Sequence, residues 1–145
     1  MRKNIGLFRG KCAGQWLYGY LTINGNGTCQ IWENTDVGFF PAVVNPKTVS
    51  EYTGLTDKNG VKIFEGDVIR YIPKYGAPII GVVVCGDYSY PPENMRFHRG
   101  YYIKWTSEPS PRQELGFWTM KRKIEVIGNI HDNPELLGGD DNAAD

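Results

Sequence analysis

Apolar residues along the chain fall in short runs that alternate with polar ones, the period-two pattern of strands rather than the 3.6-residue period of helices. In residues 16–23, Trp16, Tyr18 and Tyr20 share one face while Leu17, Leu21 and Ile23 share the other, so both faces of this predicted strand are apolar or amphipathic. Residues 5–9 predict a strand before it. Asn24-Gly25-Asn26-Gly27 is a hairpin connection into residues 28–32, and the meander continues through residues 39–44. Asn45-Pro46 punctuates it, and residues 48–52 read as a further extended segment.

The second half opens on a hairpin in which Asn59-Gly60 is expected to supply two positive-φ positions, and Gly66 marks another sharp turn. Residues 67–72 and 79–84 are expected to pair antiparallel. Residues 86–100, with Pro91-Pro92, read as a loop leading into a strand at 101–105, and residues 107–112, with Pro109 and Pro111, read as another loop. Late strands are expected at 117–120 and 124–130. The one helix start is Asn133 followed by Pro134, Glu135, Leu136 and Leu137 and ended by Gly138-Gly139.

These elements predict a mainly β protein: an N-terminal antiparallel meander lobe (1–52), a small SH3-like, partly open barrel lobe (53–131) and a short C-terminal helical turn (132–137). Residues 1–137 would form one domain. Residues 138–145, with three Asp and no large apolar side chain, are expected to form a flexible acidic tail.

Composition agrees with the β expectation. The 145 residues include nine Tyr, six Phe, four Trp and 18 Gly, a mixture that favours strands and turns. Sixteen basic and sixteen acidic residues cancel, so the overall field that would draw the protein to a polyanion is missing. Cys12, Cys29 and Cys85 are odd in number and show no CxxC spacing, and the N-terminus lacks the pattern of a secretory leader, which points to a reducing cytoplasm. No apolar run approaches the roughly 20 residues of a membrane-spanning helix, so no membrane partner is expected.

Candidate chemistry is sparse. Glu65 and Asp67 flank Gly66 and could point the same way like paired acid and base groups, but no His or substrate motif accompanies them. Asp57, Asn59 and Glu65 fail the register of a calcium loop, because the glycine stands at position four instead of six and the Glu at nine instead of twelve. Asp57 is therefore read as a turn residue whose carboxylate accepts local backbone N–H groups. His98 and His131 lack metal-ligand spacing, so no metal or other cofactor is expected. Cys85 follows a valine run and is expected to pack as a small hydrophobe, while Cys12 is placed in a polar turn. The phosphate-loop, dinucleotide, nucleophile-elbow and zincin motifs are all missing from the sequence.

The C-terminal half carries the basic triplet Lys121-Arg122-Lys123, with Arg96, Arg99, Lys104 and Arg112 and the aromatics Tyr101, Tyr102, Trp105 and Trp118 nearby. Basic groups for phosphates and aromatic platforms for bases are what a single-strand binder would use. Lys104, Trp105, Lys121, Arg122 and Lys123 are therefore the expected nucleic-acid or partner surface. A solvated charge run beside core aromatics explains the same residues.

Several segments in order resemble the YopX family. They are Phe8-Arg9-Gly10-Lys11, the strand Trp16-Leu17-Tyr18-Gly19-Tyr20, Thr48-Val49-Ser50-Glu51-Tyr52-Thr53-Gly54-Leu55, Thr56-Asp57-Lys58-Asn59-Gly60, Phe64-Glu65-Gly66-Asp67-Val68, and the run from Glu125 to Leu137. The resemblance implies a phage or prophage origin and a mostly β fold, and it brings no catalytic residues. Departures from the family pattern fall in the loops at 34–38, 75–78 and 91–100, where a ligand would be discriminated. The expected function is a non-catalytic binding or assembly module that engages protein, including copies of itself. The alternative is a nucleic-acid-binding accessory protein of phage metabolism.

Overall fold

A computed structural model describes residues 7–89, 97–107 and 110–138. Among the described residues, nine strands, one α-helix and one 3-10 turn follow in order: β1 (Phe8–Cys12), β2 (Gln15–Ile23), β3 (Cys29–Thr35), β4 (Gly38–Thr56), β5 (Lys62–Phe64), β6 (Asp67–Tyr71), β7 (Ile79–Ser89), β8 (Phe97–Trp105), α1 (Leu115–Lys121), β9 (Ile124–Asn129) and the 3-10 turn Pro134–Leu137. All strand pairs with recorded register are antiparallel. The mainly β expectation and the short helical turn at Pro134–Leu137 both hold. The chain divides into two compact units, residues 1–52 and 53–145.

In the first unit, β1, β2, β3 and β4 are neighbours in that order and β1 pairs back onto β4, which closes a ring. Tight turns make this possible. Ala13 and Gly14, both at positive φ, join β1 to β2 with Cys12 opposite Gln15, and Asp36-Val37 joins β3 to β4 with Thr35 opposite Gly38. Strand β4 continues through Asn45-Pro46, where the sequence suggests a break. Its first part pairs with β3 up to Val44 and its later part pairs with β1 from Asn45 to Glu51. The register shift between Arg9 and Lys11 falls at this exchange of partners, and Thr48 ties it down by accepting the Lys11 N–H at 2.8 Å and donating to the Asn45 carbonyl at 2.6 Å.

The core of this unit comprises the buried Cys29, Ile31 and Val44, with Phe8, Cys12, Leu17, Leu21 and Val49 packed against them. Cys12 thus belongs to a strand beside the core instead of a polar turn. Every second side chain along these strands points inward, and burying that apolar row is the main favourable term.

The second unit contains the four-stranded sheet β8-β7-β6-β9, with β5 beside the end of β4. Pairing of 67–72 with 79–84 is found as expected, with Tyr71 opposite Ile79 and Val68 opposite Val82. The sheet does not close on itself, since β8 and β9 are its two ends. Its core gathers Ile63, Ile69, Val83, Ile103, Trp105, Leu115, Trp118 and Ile124.

Three local expectations are corrected. Residues 117–120 form part of α1, because the apolar Leu115 and Trp118 stand three residues apart and both are buried, a helical spacing. The region 86–100 is not a single loop. Strand β7 runs to Ser89 and β8 begins at Phe97, with Gly86 opposite Gly100 and Asp87 opposite Arg99 in a paired arm, while Arg96 and residues 90–95 lie outside the described residues. In the turn between β4 and β5, only Gly60 has positive φ, at 84°, and Asn59 does not. The turn is held instead by the Asp57 N–H on the Val61 carbonyl (2.8 Å) and the Gly60 N–H on the Asp57 carbonyl (3.0 Å). The expected tail beyond Gly138 also lies outside the described residues.

Candidate functional site

The residues singled out in the C-terminal half separate in the structure. Lys104, Lys121, Arg122 and Lys123 are exposed, but Trp105 is only 6% exposed and belongs to the core. Its role as a surface platform is corrected by that burial. Trp118 is buried as well, and the two indoles cross edge to face at 5.6 Å between centroids. Both indole N–H groups donate to the carbonyl of Arg112, at 2.9 Å from Trp105 and 2.6 Å from Trp118, which satisfies two polar atoms that burial would otherwise strand. Arg112 itself stacks on Phe117 at 4.1 Å and pairs with Glu114 at 2.8 Å. Tyr102 stacks near Tyr88 at 5.4 Å, and burial, reinforced by the Glu114 charge and opposed by Arg112, pushes the Tyr88 phenol up. Arg99 is exposed and paired with Asp87 at 3.2 Å. These aromatics are structural. Of the basic triplet, Lys121 lies over the Phe117 ring at 5.6 Å, the ring that also carries Arg112.

The acidic candidates are structural too. Asp57 is buried, and its Oδ1 accepts the N–H groups of Asn59 (2.8 Å) and Val61 (2.9 Å). Its Oδ2 reaches β9 and accepts the Val126 N–H at 2.9 Å, while the Lys58 N–H donates to the Ile124 carbonyl at 3.1 Å. The turn therefore occupies backbone groups on the outer edge of β9, an edge that would otherwise template pairing. The sequence reading of Asp57 as a local acceptor holds, and the contact with β9 adds a long-range role it did not foresee. Asp67 is 2% exposed and accepts the Phe64 N–H at 2.7 Å, whereas Glu65 is half-buried. Between them, the Gly66 N–H donates to Val83 and its carbonyl accepts from Ile130, as in a structural turn.

His131 is exposed and its N–H donates to the Asn129 side chain at 2.9 Å. His98 lies opposite Tyr88 in the β7–β8 arm. Cys85 is exposed on β7, which corrects its expected burial: it has the parity of the buried Val83, but the pairing with β6 ends at Val82 and Cys85 lies in the stretch that pairs with β8 alone. Among the described residues no group of three His, Cys, Asp or Glu side chains is placed to hold a metal, and no helix is long and apolar enough to cross a membrane.

The surface that sequence reasoning missed lies on the first unit. Strand register places Tyr20 opposite Trp32 and Trp32 opposite Pro41, with Thr22 opposite Gln30, Gln30 opposite Val43 and Asn34 opposite Phe39. Side chains at alternate positions share a face, so the outer face of β2, β3 and β4 carries Tyr18, Tyr20, Thr22, Gln30, Trp32, Asn34, Phe39, Pro41 and Val43, a set without a formal charge. The rings are open to solvent: Tyr20 is 55% and Phe39 50% exposed. Tyr20, Thr22, Trp32 and Phe39 line a groove of about 400 Å³. Tyr20 and Phe39 pack with centroids 5.9 Å apart. The Trp32 indole N–H donates to Thr22 Oγ1 at 2.9 Å, which fixes the ring in place. At one end of the face, Arg9 and Lys11 stack on Trp16 at 4.6 and 5.4 Å. The legible signal was the alternation of Trp16, Tyr18 and Tyr20, which makes the outward row as aromatic as the inward row is aliphatic.

Fold and site together define a small antiparallel β protein whose most distinctive surface is an aromatic sheet face. The chain belongs to the YopX family: the family model described as YopX protein matches residues 20–138. The matched span covers the later segments of the resemblance, while Phe8-Arg9-Gly10-Lys11 lies before it. The crystal structure of protein EF1440 from Enterococcus faecalis is similar over 90% of this chain and 96% of that chain, with 23% sequence identity and a TM-score of 0.49. No curated protein matches the chain.

Proposed function

We propose that this protein is a non-catalytic module that binds protein, encoded by a phage or prophage and acting in the bacterial cytoplasm. The observation that carries this reading is the exposed groove of Tyr20, Thr22, Trp32 and Phe39. Isolated surface apolar residues are ordinary, but a contiguous aromatic patch on a fixed sheet is a feature of interaction sites. Of the paired carboxylates Glu65 and Asp67, the buried Asp67 is committed to the Phe64 N–H, which argues against an acid/base role for the pair.

The test compares the wild type with a Tyr20→Ser/Phe39→Ser variant immobilised side by side in bacterial lysate, together with light scattering of each in solution. The expected result is a retained protein or a self-association that the variant loses. A strict monomer that retains the same proteins as its variant would sink the reading.

A second reading, nucleic-acid binding, is supported by the exposed cations Lys104, Lys121, Arg122 and Lys123. With Trp105 and Trp118 in the core, such binding would rest on phosphate contacts and fall steeply with salt. A Lys121→Ala/Arg122→Ala/Lys123→Ala variant would then lose affinity for oligonucleotides and show a shallower salt dependence. No binding of either strand form at low salt would end it.

A further inference from the structure

We infer that the outer face of β2, β3 and β4 is the contact surface of a symmetric dimer, on which a second copy of this chain packs face to face; this deepens the protein-binding reading and rests on it.

Area sets the size of the occupant. The rings of Tyr18, Tyr20 and Phe39 are each about half open, and Trp32 is partly open. A buried aromatic side chain covers about 150–250 Å², so these four leave roughly 350 Å² of ring exposed. Pro41 and Val43 on the same rows, with the exposed Val37 in the turn beside them, add roughly 200 Å². A folded partner covers about 800 Å² on each side, and about 65% of it, or about 500 Å², is apolar when the partner is an identical chain. The apolar area left open on this face meets that requirement. A small ligand seated in the groove between Tyr20, Thr22, Trp32 and Phe39 would leave Tyr18, Pro41 and Val43 uncovered.

Composition selects an identical chain. Of the nine outward positions, six are aromatic or aliphatic and three, Thr22, Gln30 and Asn34, are polar without charge. Contacts between partners that come and go are about as polar as the rest of a surface, whereas homodimer contacts are more apolar and poor in charge. A two-fold contact presents one patch to itself, so an excess of one sign across it is repulsive. These rows carry none. At the border, register sets Trp16, with Arg9 and Lys11 stacked on it, at the same end as Asp36 in the β3–β4 turn, so that end holds both signs. A two-fold axis through the row Tyr20, Trp32 and Pro41 sets it against the opposite end of the mate, beside the uncharged turn at 24–27, and keeps the cations of the two copies apart. A surface this apolar is a solubility liability while open, and the one protein at hand whenever the chain is made is another copy of it.

The backbone favours stacking of faces over addition of a strand. Residues 38–44 of β4 pair only with β3, and Pro41 in that stretch has no N–H to offer an added strand. Two sheet faces instead pack about 10 Å apart with their side chains interdigitated. The groove, with the Trp32 ring held by its hydrogen bond to Thr22, is a preformed hole for an apolar side chain of the mate.

The experiment follows the full chain by sedimentation velocity over a dilution series, for wild type, Tyr20→Ser/Phe39→Ser and Val43→Glu. Val43 is exposed on the face but does not line the groove, and Glu there brings like charges into the contact. Circular dichroism checks that both variants remain folded. Hydroxyl-radical labelling of wild type, which needs no variant, is compared below and above the midpoint of association, with the exposed Tyr75 of the second unit as reference.

The expected result is a wild-type dimer whose dissociation constant rises at least about 30-fold in each variant and holds when salt is raised. Association should shield Tyr20 and Phe39 from labelling and leave Tyr75 unchanged. A wild type that stays monomeric throughout, a dimer that survives both variants or disperses in salt, or one that shields Tyr75 in place of Tyr20 would overturn the inference. A monomer that still captures a lysate protein through Tyr20 and Phe39 overturns it and leaves the protein-binding reading standing, whereas one that captures the same proteins as its double variant overturns both. A monomer whose Tyr20 and Phe39 become shielded on adding oligothymidylate would overturn it in favour of nucleic acid.

Discussion

At the scale of single residues, Asp57 shows how a polar side chain becomes part of the fold. Its two oxygens accept three backbone N–H groups, two within its own turn and one from β9, in a site almost closed to water. Removing it strands those donors, and a buried donor without an acceptor costs about 1–3 kcal/mol. Asp57→Ala is therefore expected to lower stability by about 2–4 kcal/mol in urea denaturation, while Glu65→Ala, at a half-buried position, should stay within about 1 kcal/mol. Equal effects of the two substitutions would contradict this account. The sequence disclosed the local half of the Asp57 role, because an Asp two residues before Asn-Gly is a turn signal. The bond to Val126 spans 69 positions, and no local pattern encodes it.

Glu125 gives a pH dependence of known sign. The Arg70 guanidinium, donating through Nε at 2.9 Å and also through its terminal nitrogen, holds the Glu125 carboxyl below its ordinary value. A carboxyl lowered in the folded state contributes stability above its unfolded pKa and loses that contribution as pH falls through the lowered folded value. The protein should therefore lose stability on acidification below the usual carboxylate range, and Arg70→Met should reduce the slope of that loss. Thermal unfolding followed across acidic pH measures both slopes, and parallel curves for the two proteins would refute the assignment.

At the scale of elements, the strands of the first unit were legible because their apolar residues alternate and their turns carry Asn, Gly and Asp. The β7–β8 arm was not, because Gly86 and Gly100, residues that ordinarily signal a loop, sit opposite one another inside a ladder. Residues 117–120 of helix α1 read as a strand in the sequence because Phe117, Trp118 and Met120 surround a β-branched Thr119, and so short a run does not separate a period of two from one of 3.6. Gly19 explains a constraint that only pairing reveals. A Cβ built there would meet the Trp32 carbonyl oxygen at 2.0 Å, so Gly19→Ala must push β2 from β3. We expect a loss of at least about 2 kcal/mol, together with faster hydrogen exchange at the amides that join Tyr20 to Trp32 and Leu21 to Ile31. Unchanged exchange along this pair of strands would show that the close approach is not binding.

For the whole molecule, each unit has its own buried cluster, and the groove lies on the surface of the first. Core and face should respond oppositely to substitution. Ile31→Ala, at a fully buried position, is expected to cost about 2–5 kcal/mol. The Tyr20→Ser/Phe39→Ser variant, altered only at rings half open to solvent, should stay within about 1 kcal/mol per site while losing binding. A double variant that unfolds like Ile31→Ala would mean that the face is needed for stability.

Local chemistry in the sequence was enough to determine the β class, the hairpins at Asn24-Gly27 and Asp57-Gly60, the helical turn at Pro134 and family membership, since alternation, turn residues and ordered motifs all act over a few positions. Tertiary structure alone decided which aromatics face water. Trp105 and Trp118 turn inward onto one shared carbonyl, whereas Tyr20, Trp32 and Phe39 are brought together on an open face by the register of three successive strands. An indole or phenol ring has the same composition in a core as on a surface, and its position is set by which neighbours the sheet supplies.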